Sequence, residues 1–172
     1  MTELIGTLLG VLLGALIAIA GVNINNKMIF KEFDRREQIK EKMKEIDMLM
    51  LLNKKINEIM QKRDIEIRDD VDITNYEKVA NFDDVKITID DFIYLQSFCA
   101  QNHYYLPNYM VEEFFKKISH RKVVLDPQII RTEGAYSYQG GRVVLEEFSE
   151  QLIRTAEDRK IELKQLTQKY RK

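Results

Sequence analysis

Residues 3–22 read "ELIGTLLGVLLGALIAIAGV". From Leu4 to Val22 no residue is charged. Nineteen residues at about 1.5 Å of rise make roughly 28 Å of helix, close to the ~30 Å hydrocarbon core of a bilayer. The stretch is therefore predicted to cross a membrane once. Its glycines stand at positions 6, 10 and 14, and Ala18 keeps the same four-residue step. Residues four apart share a helix face, so Gly6, Gly10, Gly14 and Ala18 form a groove without bulky side chains along the span. In lipid the hydrophobic effect does not drive helices together, and close backbone approach across small residues supplies the main attraction. With one span in the chain, that face must meet a second copy or another protein, and the expectation is a homo-oligomer.

A secretory signal peptide is the competing reading, because Ala18-Ile19-Ala20 before Gly21 has the look of a small-residue cleavage site. Charge placement argues against it. The residues before the apolar stretch, "MTE", carry an acid and no base, whereas Lys27, Lys31, Arg35, Arg36 and Lys40 follow it. Positive charge beside a span stays on the cytoplasmic side. A retained, single-pass anchor in the cell (inner) membrane is expected, with the N-terminus outside and the C-terminal domain in the cytoplasm. The anchor is placed at 1–25 and the cytoplasmic helical domain at 26–172.

The rest of the composition bounds the partners. With 27 Lys and Arg against 28 Asp and Glu in 172 residues, no excess of positive charge recommends a nucleic acid. Two prolines and seven glycines leave no low-complexity linker. The single Cys99 has no disulfide partner within the chain.

After "NINN" the pattern turns helical from about Asn26 to Arg63, uninterrupted by Gly or Pro. Ile39, Met43, Ile46 and Met50 keep a three-four spacing and are predicted to form a buried seam, with Leu49, Leu52, Ile56 and Ile59 continuing it on a drifting stripe. Glu37 is expected to pair with Lys40, and Glu41 with Lys44. Nearer the membrane, Lys27, Lys31 and Arg35 repeat every four residues and are a candidate contact for lipid headgroups.

From Asp64 to Asp91 acids outnumber bases, and Ile65, Ile67, Val71 and Ile73 alternate with polar residues. The segment reads as an acidic connector that allows a short strand pair with "VKITI". It lacks the glycine and terminal Glu of a calcium loop. Thr88 with Asp91 three residues on has capping-box spacing, so a helix is predicted to start there and to end before Pro107. Pro107 then opens another, whose apolar face is Met110, Val111, Phe114, Phe115 and Ile118. Residues 117–143 read as a polar connector with Asp126-Pro127 and Gly140-Gly141 as breakers, flanked by the basic Lys116, Lys117, His120, Arg121 and Lys122. A last helix, about Val143 to Tyr170, ends in bases that suit a helix C-terminus.

The predicted fold class is all-α: a single N-terminal transmembrane helix followed by a cytoplasmic bundle of about four helices, with a small β element allowed. No phosphate loop is present. Cys99 and His103 stand four apart, yet two histidines and one cysteine supply neither a metal site nor a nucleophile with its base and orienter. No catalytic, cofactor-binding or metal residue is assigned, and no cofactor is expected. Function is read as a membrane-anchored, oligomerising adaptor or regulatory protein without catalytic activity, with a protein partner at the bundle. The alternative is a membrane-perturbing effector of phage-defence or holin-like type, assembled through the glycine face.

Overall fold

A computed structural model describes residues 2–70, 83–125 and 127–168, with side-chain surroundings for 13–62, 83–125 and 127–168. Among these residues the chain forms α1 (Thr2–Asp70), β1 (Val85–Thr88), α2 (Ile89–Gln101), α3 (Asn108–Ser119), β2 (Val123–Val124), α4 (Pro127–Glu133), β3 (Ala135–Tyr138) and α5 (Gly141–Gln168). The fold is mostly helical, as the sequence predicts, with a small sheet added. The chain divides into two units, Met1–Glu41 and Lys42–Lys172.

The first unit is helical through its described residues and leaves apolar side chains uncovered from Leu13 to Phe33. The second unit contains the core. There α1 contributes Leu49, Leu52, Ile56 and Ile59 to one core, and α5 contributes Val144, Leu145, Phe148, Leu152 and Ala156. Their three- and four-residue spacings trace one stripe on each helix. α2 adds Leu95 and Cys99, and α3 adds Met110, Phe114 and Ile118. The Phe114 and Phe148 rings stack with centroids 4.2 Å apart.

The seam on α1 is buried along its predicted continuation, Leu49, Leu52, Ile56 and Ile59, and departs from the sequence reading at two methionines. Ile46 is buried and Ile39 half-buried, but Met43 is 51% exposed and Met50 41% exposed. The residues drawn inward are Leu49, Leu52, Ile56 and Ile59. Neighbours in sequence point about 100° apart on a helix, so a helix that buries Leu49 turns Met50 away. Period alone does not separate these neighbours, and packing in the shared core selects the face that turns inward.

Local signals explain the helix starts. Thr88 Oγ1 accepts a hydrogen bond from the Asp91 backbone N–H at 3.0 Å, so α2 begins where the capping spacing predicts. Pro107 sits at the N-cap of α3 with φ −64°, a value its ring imposes, and its carbonyl accepts from Met110 and Val111.

The sheet has the order β1-β3-β2, all antiparallel, with Val85 opposite Tyr138 and Val123 opposite the same residue on the other side. β1 alternates as a half-buried strand should: Val85 and Ile87 enter the core, while Lys86 points out to Glu133 at 3.2 Å. Two expectations change here. The "VKITI" strand pairs with β3, and the chain before it stays helical to Asp70, while Val71 and Ile73 lie outside the described residues. The connector at 117–143 is also structured, containing β2, α4 and β3. Gly134, with φ +59°, ends α4 in the left-handed conformation that glycine adopts without a Cβ clash, and its carbonyl accepts from Ile89 N–H at the start of α2.

Candidate functional site

Among the described residues the longest run of uncovered apolar side chains lies in the first unit. Leu13 is 59% exposed and Ile17 71%, and Leu16, Ile19, Val22 and Ile24 are similarly open. The uncovered apolar run continues past Val22, through Met28, Ile29, Phe30 and Phe33. Among the described residues α1 is the helix long and apolar enough, by length and composition, to cross a membrane. Removing apolar surface from water is worth about 25 cal/mol per Å², so a row of such side chains has a strong drive toward an apolar environment.

The small-residue face lies on this helix. A Cβ added at Gly14 or at Gly21 would meet nothing within 4 Å, so in the single chain the backbone is open there. Ala18 is exposed between them. Gly6 and Gly10 belong to α1, but their surroundings lie outside the described residues.

The basic residues beyond the apolar stretch separate into two kinds. Arg35 and Arg36 both approach Glu32 Oε1, at 3.5 and 3.1 Å. Lys27 and Lys31 are exposed, and among the described residues neither pairs with a carboxylate. The candidate headgroup row of Lys27, Lys31 and Arg35 is thus reduced to two free cations, because a glutamate three residues before Arg35 claims its guanidinium.

Two charged clusters in the second unit escaped the sequence reading. In the first, Lys42 Nζ lies 3.0 Å from both Glu45 and Glu162, while Arg159 reaches Glu45 at 2.9 Å and Glu162 at 2.8 Å. This ring of alternating charge ties α1 to α5. Burial works to lower the Lys42 pKa, but the hydrogen bonds that Lys42 donates to Glu162 and Glu45 outweigh it and raise it. Those same contacts, the Lys42 hydrogen bond foremost, hold the Glu162 carboxyl below its ordinary range. The second cluster is Asp91, buried at the start of α2, with Lys55 at 2.7 Å and Lys62 at 3.3 Å from α1. The pairs that join two helices, Lys42–Glu162, Arg159–Glu45 and Asp91 with Lys55 and Lys62, link residues far apart in sequence, so periodicity along one helix gives no signal for them. The outward pairs on α1 are Arg36–Glu32 and Lys54–Glu58.

Cys99, the thiol that stands four residues from His103, is held in its neutral form by its surroundings. Cys99 is buried in the core, and burial pushes its thiol up to about 11. A thiol must ionise to attack, and this one stays protonated at neutral pH. His103 is exposed, with Nδ1 3.0 Å from the Ala100 carbonyl and its ring against Tyr104. The basic shoulder lines an open groove of about 530 Å³ with Lys116, Lys117, His120 and Arg121, where Lys117 is held by Glu113 at 3.0 Å and Glu147 at 2.9 Å. Among the described residues no three His, Cys, Asp or Glu side chains gather as a metal site would require.

No family model matches the chain, and neither a curated protein nor a solved structure is significantly similar to it.

Proposed function

We propose that this chain is a membrane-anchored, oligomerising adaptor or regulatory protein whose helical C-terminal unit engages a protein partner and performs no catalysis. The observation that carries this reading is the row of uncovered apolar side chains on α1 from Leu13 to Phe33. A bilayer would satisfy that surface. The open backbone at Gly14 and Gly21 supports a second helix of the same kind as neighbour, since small residues let two backbones approach within dispersion range. The anchor is single-pass in the cell membrane. The bases following the span favour the helical C-terminal unit in the cytoplasm and the N-terminus outside. The buried, protonated thiol of Cys99 supports a non-enzymatic role.

The decisive experiment combines topology and association. A reporter fused after Lys172 is expected to be active only in the cytoplasm, and the membrane fraction is expected to resist carbonate extraction with residues 1–20 retained. Crosslinking in membranes is expected to capture a homo-oligomer that Gly10→Ile weakens and Leu12→Ile leaves intact. A reporter active outside, or an N-terminus at Gly21, would refute the anchor. Collapse of membrane potential on induced expression would replace the adaptor with a membrane-perturbing effector.

A further inference from the structure

Residues 27–36 carry four bases and two acids, and the structure divides them unequally. Glu32 draws in Arg35 and Arg36, which leaves Lys27 and Lys31 as exposed cations without a carboxylate partner among the described residues. Interleaved with them are Phe30, 67% exposed, and Phe33, 62% exposed. Uncovered aromatic rings next to unneutralised ammonium groups suit neither bulk water nor hydrocarbon, but they suit the boundary between the two.

Position along the helix agrees with this. Lys27 follows Val22 by about 7.5 Å of helix, and the interfacial layer adds roughly 5–7 Å to each side of the hydrocarbon core. Phe30 and Lys31 lie a further turn along. Helical side chains slope toward the N-terminus, here back toward the apolar stretch, so the rings and the ammonium groups reach the headgroup level.

From this geometry we infer that residues 27–33 form a recognition segment for anionic phospholipid headgroups. Lys27 and Lys31 contact lipid phosphates, the exposed Phe30 ring between them packs at the headgroup level, and Glu32 keeps Arg35 out of the contact. The inference rests on the membrane anchor proposed above and adds a lipid preference to it. Each lysine near a negatively charged surface contributes about a fivefold preference for anionic over zwitterionic lipid.

The sequence has no tryptophan, so Phe30→Trp in the full-length chain provides a single fluorescent reporter at the segment. The protein is reconstituted in vesicles of phosphatidylcholine and phosphatidylglycerol in which one lipid or the other carries brominated chains. Quenching by brominated phosphatidylglycerol is expected to exceed that by brominated phosphatidylcholine at equal mole fraction. The excess is expected to vanish when Lys27→Gln and Lys31→Gln are added, and to survive Arg35→Gln. Equal quenching by the two lipids overturns the inference while leaving the anchor standing. So does an excess that the double lysine variant retains or that Arg35→Gln abolishes. Absence of quenching by either lipid overturns the anchor and the inference together.

Discussion

Ser149 Oγ donates a 2.6 Å hydrogen bond to Asn53 Oδ1, joining α5 to α1 among buried apolar side chains. Both residues are buried, and their neighbours on the two helices are Leu49, Leu52, Ile56, Leu145, Phe148 and Leu152. A buried amide is tolerated there because the hydroxyl satisfies it. The pair also fixes register, since a slip of one helix past the other would strand both groups.

The energetics of this pair are asymmetric. Ser149→Ala leaves the Asn53 carbonyl oxygen without that donor and is expected to cost about 1–3 kcal/mol. Asn53→Leu combined with Ser149→Ala removes both polar groups and is expected to recover most of that loss. Chemical denaturation of the detergent-solubilised chain, carried through the full double-mutant cycle, measures the coupling. Additive single effects would show that the hydrogen bond contributes nothing to the interface.

Asp91 makes stability depend on pH in the acid range. Burial alone would raise its pKa, but hydrogen bonds from Lys55 and Thr88 and the charges of Lys55 and Lys62 outweigh burial and hold it below its ordinary 3.8. A carboxyl with a depressed folded pKa contributes stability that is complete above the unfolded value and is lost as pH falls through the folded one. The melting temperature is therefore expected to decline below about pH 4. Asp91→Asn should cost about 2 kcal/mol at pH 7, the scale of a charged hydrogen bond, and should flatten that acid limb. Parallel pH–melting curves for the variant and the parent chain would rule out Asp91 as its source.

Cys99 is expected to resist alkylation in the folded chain. With its thiol near 11, on the order of one molecule in a thousand is ionised at pH 8, and the core covers the sulfur as well. Maleimide labelling should be slow in buffer and fast in denaturant. His103→Ala should change stability by less than about 0.5 kcal/mol, as a surface substitution does. Rapid native labelling that His103→Ala suppresses would instead reveal a coupled thiol and imidazole.

The elements that were legible in the sequence are those with local causes. Thr88 caps α2 through Asp91 only three residues away, Pro107 supplies its own φ, and the repeats of Phe114 with Ile118 and of Phe148 with Leu152 mark inward faces by period alone. The apolar stretch of α1 was legible for the same reason. What stayed hidden depends on partners distant in the chain. The two residues Val123 and Val124 become a strand only because Ser137 and Tyr138 lie opposite, and Ala135–Tyr138 is held from its other side by Val85–Thr88. The seam on α1 shows the intermediate case. Period predicts that a stripe is buried, but whether Met50 or Leu49 faces inward is decided by the core the other elements build around α1. At the candidate membrane contact the bases and the interleaved Glu32 and Asp34 that weaken the row were legible, whereas which of the bases Glu32 approaches is seen in the fold.

Gly140 and Gly141 look alike as chain breakers, yet the structure gives them different tasks and hence different tolerances. Gly140 has φ +63° and its N–H donates to Asp84 Oδ1 at 3.0 Å, so its substitution is opposed by backbone strain of about 1–2 kcal/mol. Gly141 starts α5 against the sheet. A Cβ there would stand 2.6 Å from Val85 Cγ1 and 2.9 Å from Tyr138 Cβ, inside any acceptable contact distance. Gly141→Ala must push α5 away from β1 and β3, an overpacking expected to cost about 1–3 kcal/mol even though alanine favours a helix. Val85→Ala removes the nearer obstacle, so it should relieve part of that cost when combined with Gly141→Ala, while doing nothing for Gly140→Ala. Denaturation midpoints of the two double variants against their single parents test this. Equal behaviour of the two glycines would show that close approach of α5 to the sheet does not require a missing side chain.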